Sequence, residues 1–312
     1  SAGYYDAARE QCPELGLTTV SDAGRLPVTL RGGPVRGGAV EVNGHQSSQY
    51  LSALLFLAPL LPDGLRIAVR HGLVSAPLVR TTLEVMRQAG IAVEAAADLR
   101  RFAIPGGQSY RAGEYWVNGD YPSSAAILAA AAVTGGAVTV RRLFADCQGE
   151  RAVVRVLRQM GVEVLYDGRQ VSVLGHRGLR ATQFDGDQAT DMVLAMLAVA
   201  ALAAGQSRFH GIGNLRLKEC DRVAVPVEEL GRLGVDCTAG ADEIVIRGRP
   251  EGYPGGLELD THEDHRVAQL LTIVGLRCRD GLRLRRAETV AKSYPAFFAD
   301  LISLGARIEL LP

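Results

Sequence analysis

Two kinds of apolar pattern alternate along the chain and predict two kinds of helix. The first is a short amphipathic segment that ends at a glycine and is followed by alternating apolar and polar residues, as in a helix, a turn and a strand. Five segments have this form, with glycines at Gly16, Gly90, Gly161, Gly234 and Gly305. These glycines stand 74, 71, 73 and 71 residues apart, which predicts an internal repeat. Each glycine occupies the place where a helix ends in a left-handed residue.

The second kind of segment is apolar on all sides, ends at a glycine turn and is followed by a strand. Four segments have this form, and they begin near Ser47, Ser123, Thr190 and Asp264. A helix that is apolar around its whole circumference is buried. The pattern therefore predicts an α/β protein whose repeated unit runs strand, helix, strand, helix, strand, with one helix buried and the other half-exposed.

The number of repeats leads to an expectation about the whole architecture. The chain has 312 residues and opens partway into a unit, so it holds a little over four repeats. A symmetric arrangement of two domains with three units each would need six. We therefore expect about one and a half further units ahead of residue 1, in a missing N-terminal segment or a separate chain.

Composition excludes several classes of function. The chain is 47% apolar and 22% charged, with a formal net charge of zero, so it offers no electrostatic attraction to nucleic acid or to an anionic membrane. Its longest apolar runs are shorter than a membrane span. Five widely spaced cysteines contain no CxxC pair, so they indicate neither a zinc site nor a disulfide framework. We expect a reducing, cytoplasmic location and no nucleic-acid or membrane partner.

The buried helices begin with polar groups that could bind anions. Their starts are Ser47-Ser48-Gln49, Asp120 through Ser124, Thr190-Asp191 and Asp264-His265-Arg266. A helix N-terminus presents free N–H groups and the positive end of the helix dipole. Capping alone accounts for Ser, Thr and Asp at these positions. Capping does not account for Gln49 or Arg266. A binding site for phosphorylated or carboxylated substrates therefore remains a second interpretation of these helix starts.

The two lysines are candidates for chemistry. Of 34 basic side chains only Lys218 and Lys292 are lysine, and both lie in polar segments. Arginine stays protonated in proteins, whereas lysine can release its proton when its surroundings lower its pKa. Chance survival under a bias towards arginine is the alternative. Asn214, one of few asparagines, lies four residues before Lys218 in the run GNLRLKECDR.

Other candidate motifs are weaker. No GxxxxGK[ST] or GxGxxG sequence is present, so nucleotide binding is unsupported. His262 and His265 could suggest a metal site, but polar loop contacts explain them more simply. Cys220 lies among charged residues, where it is either a nucleophile or, with more support, a small polar filler.

These motifs resemble those of the enolpyruvyl transferase family over essentially the whole chain. The resemblance is carried by Ser47-Ser48-Gln49 with the apolar helix after it, LVSAP around Ser75, GDYPSSA from Gly119, ATDMVLAM with Asp191, NLRLKECDR, DHRVA and AKSYPAFF. NLRLKECDR and DHRVA are the specific motifs. They favour the branch of the family that acts on shikimate 3-phosphate over the branch that acts on UDP-N-acetylglucosamine.

The resemblance implies an α/β fold of two domains, each made of three βαβαββ-like units with buried helices. Residues 1–118 would form an incomplete domain on the shikimate-phosphate side, and residues 119–312 a second domain with the reactive groups. The implied reaction transfers the enolpyruvyl group of phosphoenolpyruvate to the 5-hydroxyl of shikimate 3-phosphate by addition and elimination, releasing phosphate. It needs no metal and no organic cofactor.

The resemblance also implies a role for each matching residue. Asp191 would be the base, and Glu219 with Lys292 would handle the proton at the methylene carbon. Lys218 and Asn214 would hold the shikimate side. Further residues would bind phosphoenolpyruvate (Arg222, Arg266 and Lys292), both substrates (Gln49), and the 3-phosphate (Ser47, Ser48 and Ser75).

One part of the family pattern is absent from this chain, and its absence leaves an alternative to an enzyme open. The N-terminal Lys-Ser…Arg segment and the Asn-Ala-Gly-Thr loop have no counterpart here. We therefore expect the 312-residue chain by itself to be inactive. A binding or regulatory pseudoenzyme of the same family is the alternative to an enzyme.

Overall fold

The computed structural model describes residue 15 and residues 17–22, 25–45, 47–176 and 178–311. The chain divides into two compact units, Ser1–Trp116 and Val117–Pro312. The helix expected ahead of Gly16, that glycine itself and Cys12 lie outside the described residues.

The first unit contains one complete βαβαββ motif. An antiparallel pair, β1 (Thr18–Asp22) and β2 (Arg25–Arg31), precedes it. The motif consists of β3 (Gly37–Asn43), α1 (Ser48–Leu57), β4 (Gly64–Arg70), α2 (Ala76–Gln88), β5 (Glu94–Ala95) and β6 (Arg101–Ile104). Its sheet has the order β3-β4-β6-β5, in which β3 and β4 are parallel and the other pairs are antiparallel.

The second unit contains three further copies, of which the middle one is complete. The first copy has α3 (Tyr121–Thr134), β7 (Val138–Arg141), α4 (Val153–Gln159), β8 (Val162–Tyr166) and β9 (Gln170–His176). The second has β10 (Gln183–Asp185), α5 (Val193–Ala201), β11 (Gln206–His210), α6 (Ala224–Arg232), β12 (Asp236–Ala239) and β13 (Glu243–Arg247). The third has β14 (Leu257–Asp260), α7 (His265–Gly275), β15 (Leu282–Arg285) and α8 (Phe297–Ser303).

The sheets confirm the predicted repeat. The sheet β10-β11-β13-β12 has the same connectivity as the sheet of the first unit, with a parallel first pair and antiparallel neighbours after it. Strands β7-β9-β8 form an antiparallel sheet, and β14 pairs with β15 in parallel. The four described repeat glycines all have φ between 81° and 98°, which an L side chain rarely adopts (Gly90, Gly161, Gly234 and Gly305).

The apolar helices form the core of the second unit, as predicted. Helices α3, α5 and α7 pack against one another, and every residue of α5 is buried. By contrast, α6 buries only one side, through Pro226, Glu229 and Leu230. Among the described residues, no helix is both long enough and apolar enough to cross a membrane.

Two predicted strands differ from the structure. The strand expected after Gly305 is not formed, because residues 306–311 have no β-pairing. The strand expected after Gly90 is reduced to the two residues of β5. Alternating apolar and polar residues specify which face of a strand is buried, but a strand also needs a neighbour to accept and donate its backbone hydrogen bonds. No described strand pairs with residues 306–311.

Two glycines at the end of α6 provide a test of the repeat signature. Gly234 has φ +89°, so Gly234→Ala should lower the free energy of unfolding by about 1–2 kcal/mol. Gly231 lies inside α6 with open space around it, so Gly231→Ala should raise that free energy by about 0.5–1 kcal/mol. Denaturant unfolding of both variants measures the difference. A Gly234→Ala variant as stable as the parent would contradict the left-handed assignment.

Candidate active site

The candidate residues follow the carboxyl ends of the parallel strands. In the second unit, Asp191 follows β10, the segment from Asn214 to Arg222 follows β11, Arg266 follows β14, and Lys292 follows β15. In the first unit, Ser47 follows β3 and Ser75 follows β4. Open α/β sheets bind ligands outside the carboxyl ends of their strands. The parallel pair therefore places polar loops at the same edge of the sheet in each copy that contains it.

Arg222 is the centre of the cluster in the second unit. Its side chain is only 2% exposed and contacts three carboxylates. Nε donates to Asp264 Oδ2 at 2.7 Å, and Nη2 donates to Asp264 Oδ1 at 3.2 Å. Nη2 also donates to Glu219 Oε2 at 2.7 Å, and Nη1 lies 3.4 Å from Asp191 Oδ1. One buried guanidinium thus joins carboxylates from two different repeats.

Asp264 has two structural tasks, and sequence reasoning treated it only as a helix start. It is fully buried and caps α7, where Oδ1 accepts hydrogen bonds from the backbone N–H groups of Arg266 at 2.8 Å and Val267 at 3.4 Å. The same carboxylate binds Arg222 through both oxygens. Asp264 therefore fixes the start of α7 relative to the loop after β11.

Glu219 extends the cluster to Lys292. The Lys292 ammonium donates a hydrogen bond to Glu219 Oε1, while the other oxygen of Glu219 accepts from Arg222. Burial alone would raise the pKa of Glu219. Arg222 and Lys292 outweigh burial and lower this pKa to about 2. At neutral pH Glu219 is therefore ionised, and the proton of the pair resides on Lys292.

Asp191 lies next to several cations and is ionised. Its side chain is 31% exposed, and the residue is the second of the short helical turn Thr190–Met192 ahead of α5. Burial by itself would raise the pKa of Asp191. The positive charges of Arg266, Arg222 and Lys218 have the larger combined effect, so the pKa of Asp191 lies below its usual range. An ionised carboxylate with an accessible oxygen can accept a proton.

Several buried polar atoms of the cluster lack a hydrogen-bond partner among the described residues. They include Arg266 Nε, Asn214 Oδ1 and His265 Nδ1. Arg266 is 6% exposed and uses only Nη1, which donates to Gln269 at 3.2 Å. Burial and the neighbouring Arg266 and Arg222 lower the pKa of His265 to about 4, so its ring is neutral. An unsatisfied buried donor costs about 1–3 kcal/mol, and such groups commonly mark a ligand site.

Lys218 is half-buried beside this cluster. It forms no ion pair within 4 Å in the part of the chain that the structure describes, although its charge acts on Asp191. Its ammonium is therefore available for an external anion or hydroxyl.

The first unit brings three predicted serines to one sheet edge. Ser47 caps α1 and accepts from Gln49 N–H at 3.2 Å, while Ser48 is 3% exposed. Ser75 precedes α2 with φ +53°, a strained conformation for serine that is typical of functional sites. The two loops touch where Val74 N–H donates to the carbonyl of Gly44 at 3.0 Å. Gln49 lies exposed on the first turn of α1.

The weaker sequence hypotheses are resolved by burial and contacts. Burial and Asp264 raise the pKa of Cys220 to about 12, so Cys220 is a neutral thiol 3.6 Å from Asp264 and not a nucleophile. His262 contacts Glu229 at 3.1 Å, which is a polar loop contact. Within the described ranges no group of three or more His, Cys, Asp or Glu side chains could hold a metal ion.

Sequence reasoning missed Glu150. This residue lies on a helical turn, Gly149–Ala152, ahead of α4, and its Oε1 accepts from the backbone N–H of Asp191 at 3.3 Å. The only sequence signal is an acidic residue just ahead of an amphipathic helix, which also fits simple dipole stabilisation.

Comparison with protein families agrees with this geometry. Residues 14–301 match the family model of EPSP synthase (3-phosphoshikimate 1-carboxyvinyltransferase). The 3-phosphoshikimate 1-carboxyvinyltransferase of Deinococcus radiodurans is 46% identical over 96% of this chain and 68% of its own length. The protein of the same name from Burkholderia pseudomallei is 36% identical over 93% of this chain and 64% of its own.

Solved structures show the same fold. The EPSP synthase of Acinetobacter baumannii superposes with a TM-score of 0.79 and 26% identity, over 96% of this chain and 70% of that protein. This chain thus spans about two thirds of the length of the relatives that it matches.

The burial of the Arg222–Asp264 ion pair leads to a prediction about stability. Asp264→Ala leaves a buried guanidinium without its main partner, so we expect the free energy of unfolding to fall by about 3–5 kcal/mol. Asp120 is the matched control because it caps α3 and contacts no guanidinium. Asp120→Ala should cost only about 1 kcal/mol, the usual value of a cap. Denaturant unfolding compares the two variants. Equal decreases in the free energy of unfolding would show that Asp264 contributes no more than a helix cap.

Proposed function

The chain belongs to the EPSP synthase family, and we propose that it catalyses the transfer of the enolpyruvyl group from phosphoenolpyruvate to the 5-hydroxyl of shikimate 3-phosphate. Phosphate is released. The observation that carries this proposal is the cluster around Arg222, in which ionised acids and cations from several repeats meet at the carboxyl ends of parallel strands. Addition to the vinyl group and elimination of phosphate require a base, a proton donor and cations for the anionic substrates.

Asp191 serves as the base for the 5-hydroxyl. It is ionised, has an accessible oxygen and lies next to cations that stabilise the anionic substrate. Lys218 and Asn214 hold the shikimate side. The free ammonium of Lys218 and the unpartnered Oδ1 of Asn214 support this assignment.

Lys292 and Glu219 handle the proton at the methylene carbon of phosphoenolpyruvate. Because the pKa of Glu219 is about 2, Lys292 holds the proton and is the donor in the addition step. Glu219 keeps the ammonium in place through a hydrogen bond. In the elimination step the proton returns from the methyl group to the same pair.

Arg222, Arg266 and Lys292 bind the carboxylate and phosphate of phosphoenolpyruvate. Arg266 has the clearest support, because its Nε is buried without a partner. Arg222 contributes its charge while remaining bound to its own carboxylates.

Ser47, Ser48 and Ser75 bind the 3-phosphate of shikimate 3-phosphate, and Gln49 contacts both substrates. The strained backbone of Ser75 and the position of Ser47 and Ser48 at the N-terminus of α1 support a phosphate site. We assign residues 1–118 to the shikimate-phosphate side and residues 119–312 to the reactive groups. No metal or organic cofactor is required, and the cytoplasmic location stays a prediction.

A non-catalytic relative is not favoured. The curated relatives carry the name of the enzyme at up to 46% identity, and the carboxylates to which we assign the proton transfers, Asp191 and Glu219, are ionised.

Exchanging the lysines tests whether the proton donor Lys292 and the substrate-binding Lys218 require lysine itself or only a positive charge. Lys218→Arg and Lys292→Arg keep the charge but replace a compact ammonium by a guanidinium that does not release its proton. We expect Lys292→Arg to lower kcat by roughly a hundredfold or more, the usual contribution of proton transfer. Lys218→Arg should lower it by a similar factor, because the larger guanidinium displaces the shikimate side from Asp191. Arg155→Lys on the exposed face of α4 is the control and should leave kcat unchanged. The variants are made in the full-length protein, and steady-state phosphate release from the two substrates is the measurement. Near-normal turnover of both lysine variants would show that only a positive charge is required at these positions.

Serine substitutions test the phosphate site separately. Hydrogen bonds to a charged group contribute about 1.5–3 kcal/mol, so Ser47→Ala and Ser75→Ala should each raise the KM for shikimate 3-phosphate roughly tenfold to a hundredfold. The KM for phosphoenolpyruvate should change much less. Ser109→Ala, on an exposed loop of the same unit, is the control. Equal changes in both KM values would show a general structural defect instead.

A further inference from the structure

Glu150 is a buried acid in contact with the backbone of Asp191. It is 3% exposed, and its Oε1 accepts the Asp191 N–H at 3.3 Å. The two residues are 41 positions apart and lie in different repeats. The hydrogen bond joins the turn ahead of α4 to the turn that carries Asp191.

The surroundings of Glu150 leave its charge poorly compensated. In the described part of the chain no cation lies within 4 Å of its carboxylate. The charged groups that act on it are Asp191 from the turn ahead of α5 and Arg266 from α7. Helix α3 also packs against the turn and carries no Asp, Glu, Lys, Arg or His. Burial and the charge of Asp191 raise the pKa of Glu150 to about 7.

We propose that Glu150 is a positioning residue, which holds the turn that presents Asp191 and whose ionisation sets how strongly Asp191 takes up a proton. The proposal rests on the function assigned to Asp191 above. Glu150 touches no reacting atom in this assignment and acts through its neighbour.

The physical reason is a balance of charges. Arg266, Arg222 and Lys218 hold Asp191 ionised, which also makes it a weak base. A negative charge on Glu150 opposes these cations and raises the proton affinity of Asp191. When Glu150 is protonated, this opposition is lost. The basicity of Asp191 should therefore increase as the pH rises through 7.

The kinetic test is Glu150→Gln, which keeps an oxygen acceptor for the Asp191 N–H and removes the ionisation. Below pH 6 wild-type Glu150 is protonated, so the two proteins should have similar kcat values. Above pH 8 kcat of the variant should be lower by roughly three- to thirtyfold, since two charges at such separations interact appreciably. The KM values should change little. Glu163→Gln, an exposed carboxylate on β8, is the control.

A second measurement does not depend on turnover. The pKa of Glu150 is higher in the folded protein than in the unfolded chain, so its contribution to stability is present below about pH 4.5 and lost as the pH rises through about 7. The variant should therefore gain Tm relative to wild type between pH 5 and pH 8. In an Asp191→Asn background this gain should shrink, because the repelling charge is gone.

The outcomes separate the two hypotheses. A loss of kcat that is equal at every pH, or no loss, would overturn the role of Glu150. A Tm difference that does not vary with pH would also overturn it. Absence of phosphate release by the full-length wild-type protein would instead overturn the proposed function.

Discussion

The buried charge of Arg222 is the constraint on which the site depends. A guanidinium at 2% exposure is tolerated only when carboxylates surround it, and here Asp264, Glu219 and Asp191 do so. These partners come from two different repeats, and Glu219 also forms an ion pair with Lys292. The same interactions that compensate the buried charge therefore hold the proposed base and the proposed proton donor in place. Stability and preorganisation of the site have one origin.

The repeat explains why these groups can meet. In each complete copy the first two strands are parallel, so the loops after them leave the sheet at the same edge. The apolar helix between those strands is buried in the second unit, where it is α5, whereas α1 of the first unit leaves Phe56 and Leu57 exposed, contrary to the prediction from its apolar sequence. In the second unit, α3, α5 and α7 pack together in one core, and this packing brings the loops of the three copies near one another.

Competition between burial and local charge assigns the protonation states. Asp191 and Glu219 are ionised because cations outweigh the cost of burial. Glu150 lacks a close cation and feels Asp191, so burial prevails and its pKa is near neutral. His265 is neutral because it is buried beside two arginines. Carboxylates of the same kind thus take different roles within a short distance, and their neighbours decide which.

The sequence by itself determined the repeat, the two kinds of helix and the left-handed glycines, because periodicity and glycine geometry act within a few residues. It also indicated Asp191, Lys218, Glu219, Arg266 and Lys292, since these residues lie in distinctive polar motifs. Only the tertiary structure decided that Arg222 binds Asp264 and that Glu150 meets Asp191, 42 and 41 residues away along the chain. It also decided that the alternating residues after Gly305 do not form a strand. Each of these depends on which distant segment packs alongside, and local patterns carry no information about that.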